Sequence, residues 1–267
     1  MRPTDFPKTF AALTGVPPFP WQTALYERFI KGEFPRSATL PTGLGKTSII
    51  AIWLCALAIK PHTTPRRLVY VVNRRTVVDQ TTAEVEKWRK QLFSADLSNL
   101  SAALACLSAI PLSSDASPLA ISTLRGQFAD NREWSADPAR PAVIVGTVDM
   151  IGSGLLFRRY TVGFTLRPHH AALLAQDALI VHDEAHLEPA FQKLLESISD
   201  AQTASTDSLM NDRDCCVVTE SEAVTRPKAL RDAFVSGEIA NKIVGGNIDA
   251  HFSCAGGNKI NGVGDGG

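Results

Sequence analysis

The chain lacks a charge of one sign: 27 Lys and Arg balance 27 Asp and Glu, for a formal net charge of zero. No global basic field announces nucleic acid, so any such binding must rest on a local groove. Cysteine is scarce, with five residues (Cys55, Cys106, Cys215, Cys216, Cys254) and no C-x-x-C spacing. Cys215 and Cys216 are adjacent, a poor geometry for a bond to each other, so a reduced, cytoplasmic protein is expected. The N-terminus carries early charges and prolines without the apolar core of a signal peptide. The longest apolar run, Ile49 to Ile59, is too short to span a bilayer, so no membrane partner is expected and the run reads as a buried helix. There is no internal repeat. Gly152-Ser153-Gly154 is no nucleophile elbow either, because Ile151 and Leu155 occupy the outer positions of G-x-S-x-G.

What is present is a chain of 267 residues, 45% apolar, enough for a sizeable core in one large domain or two small ones. Its organising stretch is Leu40 to Ser48, Leu-Pro-Thr-Gly-Leu-Gly-Lys-Thr-Ser. A short apolar run precedes it and a long one follows, which predicts strand, glycine loop, helix. Gly43 and Gly45 let the backbone turn and approach a polyphosphate, with loop amides pointing at the anion. Lys46 would reach the β- and γ-phosphates, and the Thr47 hydroxyl would be a ligand of the Mg²⁺ bridging them. The pattern G-x-x-x-x-G-K-[ST] asks for glycine at position 40, where this chain has Leu40.

The second anchor is Asp177 to His182, a buried strand that runs into Asp183-Glu184-Ala185-His186. Asp183 would hold Mg²⁺, Glu184 would orient and deprotonate the attacking water, and His186 would link the site to a neighbouring part of the machine. A zinc reading of His182 and His186 fails, because H-E-x-x-H needs glutamate in second place on one helix.

Between the anchors, polar residues recur where apolar runs end. Leu68 to Val72 reads as a central parallel strand, followed by Asn73-Arg74-Arg75-Thr76 and a helix with Val78, Val85, Trp88 and Leu92 on one face. Arg74 and Arg75 are candidates for nucleic-acid phosphates, with a solvated basic turn as the rival reading. Leu119 to Thr123 leads into Leu124-Arg125-Gly126-Gln127, and Ala142 to Val145 into Gly146-Thr147-Val148-Asp149. The Thr147 hydroxyl beside a helix start suits backbone phosphates. Upstream, Pro17 to Gln22 reads as extended, then residues 21–31 as an amphipathic helix. The Gln22 amide can meet an adenine edge, against the rival of a solvated glutamine. These patterns predict an α/β fold, a P-loop parallel sheet with helices on both faces. The expected bounds are a cap over residues 1–35, a main lobe carrying the phosphate loop over 36–200 and a poorly defined tail over 201–267.

In this order the motifs resemble a superfamily 2 helicase of the DEAH type. They resemble more closely the CRISPR-associated helicase of type I interference, in its type I-G (formerly I-U) branch. The residues concerned are Pro18 to Gln22, Leu40 to Thr47, Val71 to Gln80, Leu124 to Gln127, Gly146 to Ser153 and Asp183 to His186. The resemblance covers residues 10–200, the first of two RecA-like lobes. It implies ATP and Mg²⁺ as cofactors, with Gln22, Thr42, Gly43, Gly45, Lys46, Thr47, Ser48 and His186 around the nucleotide and Lys46, Asp183 and Glu184 in the chemistry. It implies single-stranded DNA along Arg74, Arg75, Thr76, Arg125, Gly126, Thr147 and Asp149. The implied partners are a Cascade-type surveillance complex, a second lobe with arginine fingers and an HD nuclease. Two departures stand out. Val217 to Ser221 lacks the Ser-Ala-Thr or Thr-Ala-Thr triplet, and no His-Asp nuclease motif or second lobe follows. An incomplete motor is therefore expected, one that binds ATP weakly and unwinds little alone. The alternatives are another DEAH-type translocase of restriction or repair, and a non-catalytic nucleotide-binding remnant. A small P-loop kinase is disfavoured, since it needs a phosphoacceptor pocket and lid.

Overall fold

The structure is a computed structural model and describes residues 5–41, 43–113, 115–125, 131–159, 162–204, 216–221 and 253–254. The strands are β1 (Pro35–Thr39), β2 (Arg67–Val72), β3 (Ala120–Leu124), β4 (Ala142–Thr147), β5 (Ala178–His182), β6 (Cys216–Ser221) and β7 (Ser253–Cys254). They form one sheet in the order β3-β4-β2-β5-β6-β1-β7. The first six strands pair in parallel, and β7 lies antiparallel on β1.

Strands β2, β4 and β5 are buried on both faces, as continuous apolar runs in a parallel sheet must be. Their alternate residues divide between two cores. Leu68, Tyr70, Val72, Val143, Val145 and Val181 pack with helices α1 (Phe6–Thr14), α2 (Pro20–Phe29), α3 (Ile49–Ile59), α4 (Arg75–Gln91) and α5 (Ser98–Ala105). Val69, Val71, Ile144 and Ile180 pack with α6 (Glu133–Ala136), α7 (Val148–Leu155), α8 (Arg167–Ala175) and α9 (Pro189–Ala204). This is the expected helix-sheet-helix sandwich.

Helix α3 is buried from Ile49 through Leu57, which explains why its sequence is apolar on every side. Its Trp53 indole donates to the Pro65 carbonyl at 2.7 Å, so the one polar atom of that ring is satisfied. The sequence reading missed α1. Phe6, Phe10 and Leu13 recur at helical spacing and are buried in the same core as α3, and Phe6 stacks on Tyr26 at 4.0 Å. Helix α2 spans Pro20–Phe29, close to the expected helix over 21–31, so Gln22 sits in its first turn and the extended stretch ends at Phe19. Proline at the first helical position loses no needed hydrogen bond, which is why the helix begins there.

Gly146, at the end of β4, has no room for a side chain: a Cβ would lie 2.9 Å from Ile151 and 3.2 Å from Leu124. It lets α7 turn back tightly onto the sheet. Among the described residues no helix is long and apolar enough to cross a membrane.

Candidate nucleotide and nucleic-acid site

The carboxyl ends of the parallel strands converge on one edge, where ligands of open α/β sheets bind. From β1 the chain enters the glycine loop. Gly43 and Gly45 stand at φ 83° and 70°, in the left-handed region that costs other residues on the order of 1–2 kcal/mol. Lys46–Ser48 form a single 3-10 turn before α3 begins, with the Ser48 amide donating to the Gly45 carbonyl at 3.0 Å. The predicted helix after the glycine loop is thus entered through a tighter turn.

Gln22 braces this loop. It is 3% exposed, its Oε1 accepts from the Phe19 amide at 2.8 Å, and its Nε2 donates to Ser48 Oγ at 2.5 Å. Ser48 Oγ passes the contact on by donating to the Gly45 carbonyl at 2.5 Å. The Gln22 amide and the Ser48 hydroxyl are therefore engaged within the protein. Thr47 is half-buried beside them, and Thr42 lies outside the described residues.

From β5 the chain enters Asp183-Glu184. The Asp183 amide donates to the Val71 carbonyl at 2.9 Å and extends the ladder by one residue. Glu184 then turns to φ 54° and ψ 43°. A non-glycine residue held there costs on the order of 1–3 kcal/mol, and such strain collects at functional sites. The turn brings Glu184 Oε1 to 3.1 Å from Lys46 Nζ, so the two anchors meet across 138 residues of chain. His186 is half-exposed, with Nδ1 3.5 Å from Glu184 Oε2.

Asp183 is more deeply placed. Its Oδ2 accepts from the Tyr70 hydroxyl at 3.2 Å, and its Oδ1 is buried with no partner among the described residues. Burial raises its pKa above the ordinary carboxylate value; Lys46 opposes the shift, the Glu184 charge adds to it, and hydrogen bonds from Tyr70 and from the Glu184 backbone oppose it. A buried orphan carboxylate oxygen within reach of the Lys46 charge is the hard oxygen donor that Mg²⁺ takes. His182 points to the opposite face, edge-on to Phe191 at 5.0 Å. Burial pushes its pKa down to about 4, against the pull of Gln192.

The predicted nucleic-acid residues fall on the next three strands. Val72 is in register with Thr147, and Gly146 with Leu124, so the loops after β2, β4 and β3 end level with one another. Arg74 caps α4, and Arg75 and Thr76 open it, all exposed. Thr147 caps α7 and is buried, while Asp149 is exposed in that helix's first turn. Arg125 is ion-paired with Asp79 of α4. Gly126 lies outside the described residues. Sequence reasoning missed Tyr70, a lone polar tip in an apolar strand, and Asp79, whose pairing with Arg125 joins segments 46 residues apart.

The fold and its two motifs define a RecA-like lobe of the superfamily 2 helicase class. Among solved structures, the DEAD-box helicase Mss116 bound to ssRNA and UDP-BeF is similar to this chain at 17% identity and a TM-score of 0.51, covering 85% of this chain and 40% of that one. S. cerevisiae Dbp5 bound to RNA and ADP BeF3 has 16% identity and a TM-score of 0.44, covering 88% and 47%. A DEAD box protein from the hyperthermophile Methanococcus jannaschii has 18% identity and a TM-score of 0.42, covering 85% and 49%. The chain thus spans less than half the length of each of these three. No curated protein sequence matches it. The family model described as "Type III restriction enzyme, res subunit" matches residues 16–204, and the chain belongs to that family, one of ATP-dependent helicases.

Proposed function

We propose that this chain is the ATP-binding half of a motor that couples ATP hydrolysis to movement along single-stranded DNA. The observation that carries the reading is the Lys46–Glu184 contact at 3.1 Å, which joins the glycine loop to the end of β5. Gly43, Gly45 and the Thr42 position would cradle the phosphates, and Lys46 would leave Glu184 for the β- and γ-phosphate oxygens. Glu184, released from the lysine, would orient the attacking water and accept its proton. Gln22, with the amide hydrogen not given to Ser48, would meet the adenine edge, and His186 would stay beside Glu184. Mg²⁺, held by Thr47 and Asp183, would supply charge neutralisation at the transferring phosphate. A second lobe contributing a transition-state arginine is part of the reading, since such fingers raise rates by on the order of 10³–10⁵.

Arg74, Arg75, Thr76, Arg125, Gly126, Thr147 and Asp149 would line or support a track on the strand backbone, read without base specificity. The lobe would span residues 36–200, with residues 1–35 as its cap, and would work in the cytoplasm. The tracts Val71 to Gln80 and Gly146 to Ser153 support a role in type I CRISPR interference, beside a surveillance complex and an HD nuclease. The description of the matching family favours a second reading, a translocase of restriction.

ATP turnover tests the reading, measured with single-stranded DNA, with single-stranded RNA, and with a type I surveillance complex loaded on its target. Little turnover is expected of the chain alone; with a second lobe supplied, stimulation by DNA that rises further with the loaded complex is expected. Stimulation by duplex DNA alone would select the restriction reading, and preference for RNA would reject both.

A further inference from the structure

Tyr70 has no part in the reading above, yet it touches the centre of the site. It lies on β2 in register with Val145 of β4 and Val181 of β5, and is fully buried. Phenylalanine would fill nearly the same volume in that apolar face without a hydroxyl to satisfy, so packing does not require the polar tip. That tip donates to Asp183 Oδ2 at 3.2 Å. The other oxygen of the same carboxylate, Oδ1, is buried and has no partner among the described residues. A carboxylate pinned at one oxygen is fixed in rotation and offers the other in a set direction. Donors behind a metal's ligands act in this way, orienting them before the cation arrives.

We propose that Tyr70 is a positioning residue for the cation site: its hydroxyl holds Asp183 by Oδ2 and leaves Oδ1 for the Mg²⁺ that accompanies the nucleotide. The proposal rests on the ATP reading and adds to it a residue from β2, the strand that leads into the Arg74 cap of α4.

The test uses the full chain and a fluorescent N-methylanthraniloyl ATP, titrated once with Mg²⁺ and once with EDTA. Tyr70→Phe is expected to weaken binding in Mg²⁺ by about tenfold and to change binding in EDTA by less than about twofold, with half-saturation by Mg²⁺ rising in proportion. In an Asp183→Asn background, Tyr70→Phe is expected to have no further effect. Equal Mg²⁺ dependence in wild type and Tyr70→Phe would overturn the proposal. So would equal weakening with and without Mg²⁺, or a Tyr70→Phe penalty that persists beside Asp183→Asn, because each describes a residue serving the fold alone. If wild type binds the analogue in neither condition, the ATP reading falls and Tyr70's role with it; a failure confined to the Tyr70 comparison leaves that reading intact.

Discussion

Replacing Gln22 with alanine tests whether the N-terminal helices brace the phosphate loop. The wild-type side chain accepts from the Phe19 amide at 2.8 Å and donates to Ser48 Oγ at 2.5 Å, in a place only 3% exposed. Alanine removes both hydrogen bonds and strands the Phe19 amide just ahead of α2 and the Ser48 oxygen beside the loop. At about 0.5–1.5 kcal/mol for each bond, the loss is about 2 kcal/mol. In a domain of this size each kcal/mol moves the melting temperature by about 2–4 °C, so nucleotide-free Gln22→Ala should melt about 4–8 °C below wild type. Because the brace ends on Ser48 and Gly45, affinity should fall for fluorescent GTP as well as ATP, and further for ATP if the base is read. Circular-dichroism melting and the two titrations provide the assay. An unchanged nucleotide-free melting point, with ATP affinity alone reduced, would refute the brace and leave Gln22 only as a base reader.

Two further perturbations address other parts of the edge. His182 is buried with a pKa near 4 against an ordinary 6.5, so the unfolded chain takes up its proton first and stability falls as pH drops from about 6.5 toward 4. Asp183 works in the opposite sense, because its raised pKa returns stability on protonation. His182→Leu should therefore lose less of its urea midpoint than wild type between neutral and acid pH, and equal losses would reject the assignment. Arg74→Ala and Arg75→Ala should each reduce the slope of log affinity against log salt for a single-stranded oligodeoxynucleotide by about 0.7, and an unchanged slope would remove these residues from the phosphate contacts.

Local pattern carried most of the sheet. Continuous apolar runs bounded by glycine, proline or charge mark β2, β4 and β5, because strands buried on both faces admit little else. Lys46 and Glu184 were readable as a pair because phosphoryl transfer needs both a phosphate-reaching cation and a water-orienting carboxylate. What pattern did not carry is what depends on packing between distant segments. Helix α1 was missed since its apolar spacing sits among prolines and only contact with α3 makes it a core element. Tyr70 read as one more strand residue, because its value lies in the reach of its hydroxyl to a neighbouring strand. The resemblance put Gln22 and Ser48 at the ligand, whereas their hydrogen bond to each other follows from how α2 folds over the loop. The pairing of Arg125 with Asp79 has the same origin, in the adjacency of α4 to the end of β3.

The most direct measurement is equilibrium binding of fluorescent ATP, in Mg²⁺, to the full wild-type chain, Lys46→Ala and Glu184→Gln. Saturable binding to wild type is expected, with Lys46→Ala weaker by at least about tenfold, the range of a hydrogen bond to a charged group. Glu184→Gln should bind as tightly as wild type or tighter, because the substitution frees Lys46 from the 3.1 Å ion pair that competes with the phosphates. Binding that Lys46→Ala leaves unchanged, or no binding by any of the three, would contradict a nucleotide site at this edge.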